Sequence, residues 1–293
     1  MTDRLIRLYP AGYRTAHGPE IAATHREMTA GLPRAARLRA DADLAAHAVR
    51  VRLGLDSASR GGRLFAVAAP FSLAAAAVVA GLELTRWYTG FVVSPTPAWV
   101  QLSTTGPGWG LWLLSALLVC VGAVVALTGR WVPGVVAAGC GLLGSVALWG
   151  VVEPSRGGGA VVPVAALLTV GVVLACPPDR RADPGLSAAA GAMAGVGWLP
   201  LVAVGTGGFV VTTDHGAWPL LVLVASGVAL ALRRRSSGLL ELGAMAVASP
   251  SLLGRAYADA WLDLRPVLAM LLALPLAAAA TACWQGVRRR RSP

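Results

Sequence analysis

Long apolar runs separated by short polar loops dominate the chain from residue 64 onward. A helix rises about 1.5 Å per residue, so about 20 apolar residues cross a hydrocarbon layer of about 30 Å. The pattern therefore predicts an all-α, polytopic transmembrane helix bundle over residues 64–287. Eight membrane-spanning helices are predicted near residues 64–84, 111–128, 131–152, 160–176, 186–204, 218–232, 238–253 and 266–284.

Residues 1–63 are much more polar, and their apolar residues recur at helical spacing. The pattern predicts a small cytoplasmic segment of three helices. The first is short and closed by Pro10, the second begins near Pro19, and the third is stopped by Gly54. The second and third apolar stripes comprise Ile21, His25, Met28 and Leu32, and Leu38, Ala42, Ala45, Val49 and Leu53.

The composition excludes soluble globular and disordered proteins. Hydrophobic residues make up 56% of the chain and charged residues only 13%, and 35 further residues are Gly. Soluble domains carry about 25% charged residues, about twice the share in this chain. Disordered chains contain far fewer apolar residues than this chain does. A membrane protein is the class that remains.

Charge placement predicts the topology, because Arg and Lys are enriched in cytoplasmic loops. All 25 basic residues are Arg, and the net charge is +11. With eight spans and both termini cytoplasmic, only the four Arg at positions 86, 156, 255 and 265 lie outside. The doubtful span is 238–253, which is short enough to be re-entrant. If it did not cross, the basic tail 288–293 would end outside, so crossing is favoured.

Glu241 is the acidic residue that lies within a predicted span, away from its end. An intramembrane carboxylate suggests a polar site such as a proton relay. The favoured interpretation is structural, since Glu241 would snorkel to the interface or pair with a neighbouring Arg. The basic clusters are interpreted as lipid and topology anchors, with regulated lipid sensing as the rarer alternative. They are Arg233, Arg234 and Arg235, and Arg288, Arg289, Arg290 and Arg291.

Ser187, Gly191 and Gly195 form a line of small residues on one helix face. Such a line permits close helix packing, and dimerisation is the sharper alternative.

Motifs for catalysis, nucleotide binding and metal binding are lacking. His17, Glu20, His25 and Glu27 lie close in sequence, but their spacing favours a solvated surface over a metal site. We therefore expect no enzyme activity and no cofactor. The net positive charge is assigned to loops that face anionic lipids, so no direct nucleic-acid binding is expected.

The start of the chain follows the pattern RLLRLYPxxxRxxxGxEM, carried by Leu5, Leu8, Tyr9, Pro10, Arg14, Gly18 and Glu20, with Ile21 where Met is commoner. This pattern resembles the helical permease prefix at the start of many bacterial multi-span membrane proteins. In such families the gene often lies beside one for a PadR-type transcriptional regulator. The resemblance covers about a tenth of the chain. It implies a bacterial plasma-membrane protein and supplies no catalytic residue.

Together these features predict a non-enzymatic membrane protein with a sensory or accessory role, whose N-terminal segment docks a cytoplasmic regulator. The alternative is a permease or export subunit that works with a separate ATPase. Membrane lipids are the other expected partners.

Overall fold

A computed structural model describes residues 5–104, 106–152, 160–181, 183–205, 217–234, 238–259, 277 and 280–281. These residues are almost entirely helical, and they contain no strand. The prediction of an all-α fold is confirmed. The chain divides into two compact units, Met1–Arg63 and Leu64–Pro293, called here the first and second units.

The described helices are α1 (Ala11–Thr29), α2 (Arg34–Arg52), α3 (Arg60–Val93), α4 (Ala98–Thr104), α5 (Pro107–Leu127), α6 (Trp131–Val152), α7 (Val161–Leu174), α8 (Pro184–Gly205), α9 (Ala217–Arg234), α10 (Leu239–Ala248) and α11 (Pro250–Asp259). By length and composition, three helices in the described part of the chain can cross a membrane. They are Arg60–Val93, Pro107–Leu127 and Trp131–Gly150. They overlap the first three predicted spans, and Arg60–Val93 extends nine residues beyond the predicted end of the first span at residue 84.

In the first unit, the predicted start of the second helix is wrong. Helix α1 begins at Ala11, directly after Pro10, and continues through Pro19. It ends where Ala30 becomes extended and Gly31 adopts a φ of +77°. Leu5 and Ile6 are also helical, whereas residues 1–4 lie outside the described residues.

The predicted apolar stripes form the contact face of α1 and α2 only in part, because His25 is buried whereas other members of the stripes are exposed. Met28 and Leu38 are 67% and 58% exposed, whereas His25, Thr29 and Ala48 are buried. Both helices are rich in Ala and Arg and bury no broad apolar stripe. Polar and small side chains therefore make their contact.

In the second unit, α3 is the central helix. Every residue from Ala66 to Glu83 is buried except Ala77 and Val79, which are half-buried. Three apolar clusters surround this helix. One joins it to α7, α8, α9, α10 and α11, and the others join it mainly to α5, α6 and α7. The many Ala side chains of α3 let several helices approach it closely.

Helices α5 and α6 form a tight antiparallel pair, joined by a turn in which Gly129 has a φ of +101°. A Cβ atom added to Gly122 would lie 2.7 Å from the carbonyl oxygen of Gly134. A Cβ atom added to Gly141 would lie 2.5 Å from the carbonyl oxygen of Ser115. These glycines set the distance between the two helix backbones.

The remaining predicted spans are helical in the part that the structure describes. Segments 160–176, 186–204 and 218–232 correspond to α7, α8 and α9. Segment 238–253 is divided at Ser249 into α10 and α11. A proline removes one backbone donor and interrupts a helix, so Pro250 accounts for the division. Segment 266–284 lies outside the described residues, apart from residues 277, 280 and 281.

Candidate functional site

Tyr9, from the prefix motif, holds the first unit together. It is 2% exposed, and its hydroxyl lies 2.8 Å from Nδ1 of His47 and 3.5 Å from the carbonyl oxygen of Leu44 on α2. Its ring stacks on Tyr13 of α1, with 5.4 Å between the ring centres. One aromatic side chain therefore links the turn before α1 with both helices.

The other motif residues divide into structural and exposed groups. Gly18 is buried, and a Cβ atom there would lie 3.7 Å from the Ile6 side chain and 3.4 Å from that of Arg14. Leu5, Leu8 and Pro10 are half-buried, whereas Arg14 and Glu20 are exposed. The apolar part of the motif therefore folds the chain before α1, and its two charged residues face outward.

His25 joins α1 to α2. The prediction that it lies on a solvated surface is wrong. It is 8% exposed, and its Nε2 lies 3.3 Å from Oδ1 of Asp41. The described residues contain no group of three or more His, Cys, Asp or Glu side chains that could hold a metal ion.

The surroundings of His47 make the stability of the first unit depend on pH. Partial burial lowers the pKa of His47, and the charge of Arg50 lowers it further, while Asp56 acts in the opposite direction. Burial, followed by the neighbouring Tyr13, raises the pKa of Tyr9, which therefore stays protonated near neutrality. In the unfolded chain His47 titrates near its ordinary value of about 6.5. Below that value the unfolded state binds a proton more readily than the folded state.

We therefore expect the first unit to lose stability as the pH falls through about 6.5 and toward the lower pKa of the folded state. The measurement is denaturation of the full-length protein, followed by a fluorophore on a cysteine that replaces exposed Thr24. His47→Gln should reduce the difference between about pH 7.5 and about pH 5.5. An undiminished difference in that variant would assign the effect to another group.

The second unit contains a buried ion pair that joins distant parts of the sequence. The carboxylate of Glu83 on α3 contacts the guanidinium of Arg255 on α11, and their side chains are only 7% and 11% exposed. Arg86 approaches the same carboxylate at 3.8 Å with a side chain that is 48% exposed. One acidic and two basic groups therefore meet at one end of the bundle.

This charge cluster lies in the wall of a cavity of about 370 Å³. The rest of the wall is mostly apolar and comes from α3, α5, α6, α7 and α11. Trp112, at 7% exposure, and Trp149 line the cavity with ring centres 6.0 Å apart. A smaller cleft of about 230 Å³ shares Glu83 and Arg86 and is completed by Trp87, Gly90, Phe91 and Gln101. The bundle therefore combines an apolar cavity with a charged rim.

Glu241 lies elsewhere and does not snorkel to the surface. It is 1% exposed, in the first turn of α10, directly after Gly238 with a φ of +80°. Arg233 and Arg234 are exposed at the end of α9, as expected for anchors, whereas Arg235 and Arg288–Arg291 lie outside the described residues. The structure encloses the Glu241 carboxylate within the bundle.

The small-residue stripe on α8 makes no close contact at its glycines within the described chain. A Cβ atom on Gly191 or Gly195 would meet no atom within 4 Å, and Ser187 is half-buried. The dimerisation interpretation of this stripe stays a prediction.

Comparisons of the chain with protein-family models, with curated protein sequences and with solved structures give no match.

Proposed function

We propose that this protein is a non-enzymatic integral membrane protein whose first unit docks a cytoplasmic protein, in a sensory or accessory role. The proposal places it in the bacterial plasma membrane with eight spans and both termini in the cytoplasm. Three long apolar helices support membrane insertion, and the Arg distribution supports this orientation.

The observation that carries the docking role is the exposed apolar surface of the first unit. Tyr9 and His25 stabilise this unit through polar contacts. Several large apolar side chains of the unit remain solvent-exposed. Met28, Leu38 and Leu53 are 67%, 58% and 65% exposed. Met28 and Leu38 lie ten residues apart, on either side of the turn between α1 and α2, and this nearness of two exposed apolar side chains supports an interaction site there.

The charge of the first unit indicates the chemistry of its partner. Residues 1–63 contain 11 Arg and six acidic residues, so the unit carries a clear positive excess. A partner with an acidic rim around an apolar patch would complement it. The permease-prefix resemblance favours a PadR-type regulator as that partner.

The experiment is capture of cytoplasmic proteins from the native cell by the intact, detergent-solubilised protein. We expect wild type to retain a regulator and the double variant Met28→Ser/Leu38→Ser to lose it, because an apolar contact surface has been removed. Val93→Ser is the matched control, since Val93 is 82% exposed but belongs to the second unit. Equal capture by the double variant and wild type would contradict docking through this surface.

The topology has its own test by cysteine labelling in a background without the four native cysteines. We expect a cysteine that replaces Ser292 to react with a membrane-impermeant maleimide only after the cytoplasmic side is opened. Labelling from the outer side of intact cells would overturn the eight-span arrangement.

The alternative function is a permease or export subunit that works with a separate ATPase. The cavity of about 370 Å³ in the second unit favours this alternative, because a carrier needs a site for its cargo within the bundle. Capture of an ATPase instead of a regulator, together with its stimulation by the membrane protein, would select the alternative.

A further inference from the structure

We infer that the cavity between α3, α5, α6, α7 and α11 binds an uncharged lipid with a single apolar chain. An ether, ester, ketone or hydroxyl oxygen of this lipid would accept a hydrogen bond from the indole N–H of Trp112, and the chain would fill the apolar part of the cavity. The site lies in the second unit alone and does not depend on partner docking by the first.

The space in the cavity fits one alkyl chain. Small side chains, Ala76 and Ala80 of α3, Ala116 of α5 and Ala166 of α7, form part of its wall. The wall residues of α3 run from Ala76 to Arg86, a rise of about 15 Å. Cavities that hold small molecules measure about 300–1,000 Å³, so a volume of about 370 Å³ suits one chain better than two. Apolar cavities exclude water and take up apolar molecules.

Trp112 gives the wall a buried hydrogen-bond donor. Its side chain lines the cavity and is 7% exposed, and its Nε1 has no acceptor among the described residues. By contrast, the indole of Trp218 in the same unit donates to the carbonyl oxygen of Val196 at 2.9 Å. An indole nitrogen can donate but cannot accept, and burying a donor without an acceptor is unfavourable. An oxygen of a molecule in the cavity would satisfy the Trp112 N–H.

The two hydroxyl groups of the wall already donate within the protein. Ser145 donates to the carbonyl oxygen of Gly141 at 3.0 Å. Ser251 lies 2.7 Å from the hydroxyl of Thr169, which itself donates to the carbonyl oxygen of Ala165. The proton between the two hydroxyls therefore comes from Ser251. Both serine oxygens can still accept a bond, so a ligand hydroxyl could make a second contact that an ether could not.

The charged side chains of the wall favour a ligand without charge. The Glu83 carboxylate contacts the Arg255 guanidinium, and Arg86 lies 3.8 Å from the same carboxylate. An ionised ligand would have to compete with these contacts, and it would lose its hydration on entering an apolar cavity. An uncharged ligand leaves the ion pair intact and needs only the Trp112 donor.

The experiment is photolabelling of the full-length protein in phosphatidylcholine nanodiscs by a tritiated decyl methyl ether with a diazirine in its chain. We expect saturable labelling of peptides from the cavity wall, suppressed by excess unlabelled decyl methyl ether. Dodecane has a methylene group in place of the ether oxygen and should compete about three- to tenfold more weakly. Decyl sulfate and decyltrimethylammonium should compete at least about tenfold more weakly. Whether decan-1-ol or the ether competes more strongly distinguishes an alcohol from a ligand whose oxygen only accepts.

Trp112→Phe tests the hydrogen bond. It removes the donor and keeps an aromatic ring, so the advantage of the ether over dodecane should disappear. Trp99→Phe is the matched control, since Trp99 is 73% exposed, and it should retain the advantage. An advantage that persisted in Trp112→Phe would show that the ligand oxygen does not bind this indole, and it would overturn the inference.

Ala116→Leu locates the chain. The larger side chain fills the cavity and should weaken labelling by at least about tenfold, whereas Ala147→Leu, on the exposed face of α6, should leave it unchanged. Unchanged labelling of folded Ala116→Leu, or stronger competition by either charged compound than by the ether, would contradict an uncharged ligand in this cavity. Should Ala116→Leu fail to fold, the Trp112→Phe comparison decides the question.

Discussion

Glu83→Gln is expected to destabilise the second unit by about 3–5 kcal/mol, the range measured when one partner of a buried ion pair is removed. The Glu83 and Arg255 side chains are 7% and 11% exposed, so most of their contact is shielded from bulk water. A surface pair would cost only about 0–1 kcal/mol. The measurement is the free energy of unfolding of the detergent-solubilised protein in a denaturant titration.

Two further variants distinguish loss of the Glu83–Arg255 ion pair from a general effect of substitution on stability. The double variant Glu83→Leu/Arg255→Met removes both charges, so it should be substantially more stable than Glu83→Gln. Glu27→Gln, at an exposed position of α1, should change the free energy of unfolding by less than about 0.5 kcal/mol. A Glu83→Gln variant as stable as Glu27→Gln would show that the pair is solvated.

The sequence contained a signal for this pair, although it did not predict the contact. In the predicted topology the first span covers residues 64–84, so Glu83 lies at its outer end, and Arg255, 172 residues away, also lies on the outer side. Arg86 and Arg255 are two of the four Arg residues that the predicted topology leaves outside. An Arg that lies on the outer side, against the positive-inside rule, and at the same depth in the membrane as an acidic residue is a reason to expect an ion pair.

The helices of the second unit were easier to predict than their contacts. Apolar length alone placed helices at three candidate spans, because length and hydropathy are local properties. Which face of a helix meets a neighbour depends on the whole bundle. The sequence therefore directed attention to Gly191 and Gly195, while the close approach occurs at Gly122 and Gly134.

Glu241 and the prefix motif show a similar limit. The sequence predicts that Glu241 snorkels to the interface or pairs with a neighbouring Arg, and the fold around α10 buries it. In the first unit, the spacing predicts one face that contains both His25 and Met28, but only His25 is buried, in contact with Asp41 of α2. Apolar periodicity does not detect the partners of His25 and Tyr9, which are Asp41 and His47, because polar residues are counted as solvent-facing.

Gly122→Ala is expected to destabilise the second unit by about 1–3 kcal/mol, the usual cost of extra volume in a packed interior. The new methyl group would lie 2.7 Å from the carbonyl oxygen of Gly134, which is backbone and cannot rotate away. Helices α5 and α6 would have to separate, and this also loosens the cluster around Ala123 and Ala138.

Gly139→Ala is the matched control, because a Cβ atom at Gly139 of α6 meets nothing within 4 Å. Alanine favours a helix over glycine by up to about 1 kcal/mol, so this control should be neutral or slightly stabilising. Both variants make the same chemical change in neighbouring helices, so opposite signs in their free energies of unfolding isolate the close approach. If Gly122→Ala were stabilised like Gly139→Ala, the backbones of α5 and α6 would have to lie farther apart. The small residues of α5 and α6 would then not determine how these helices pack.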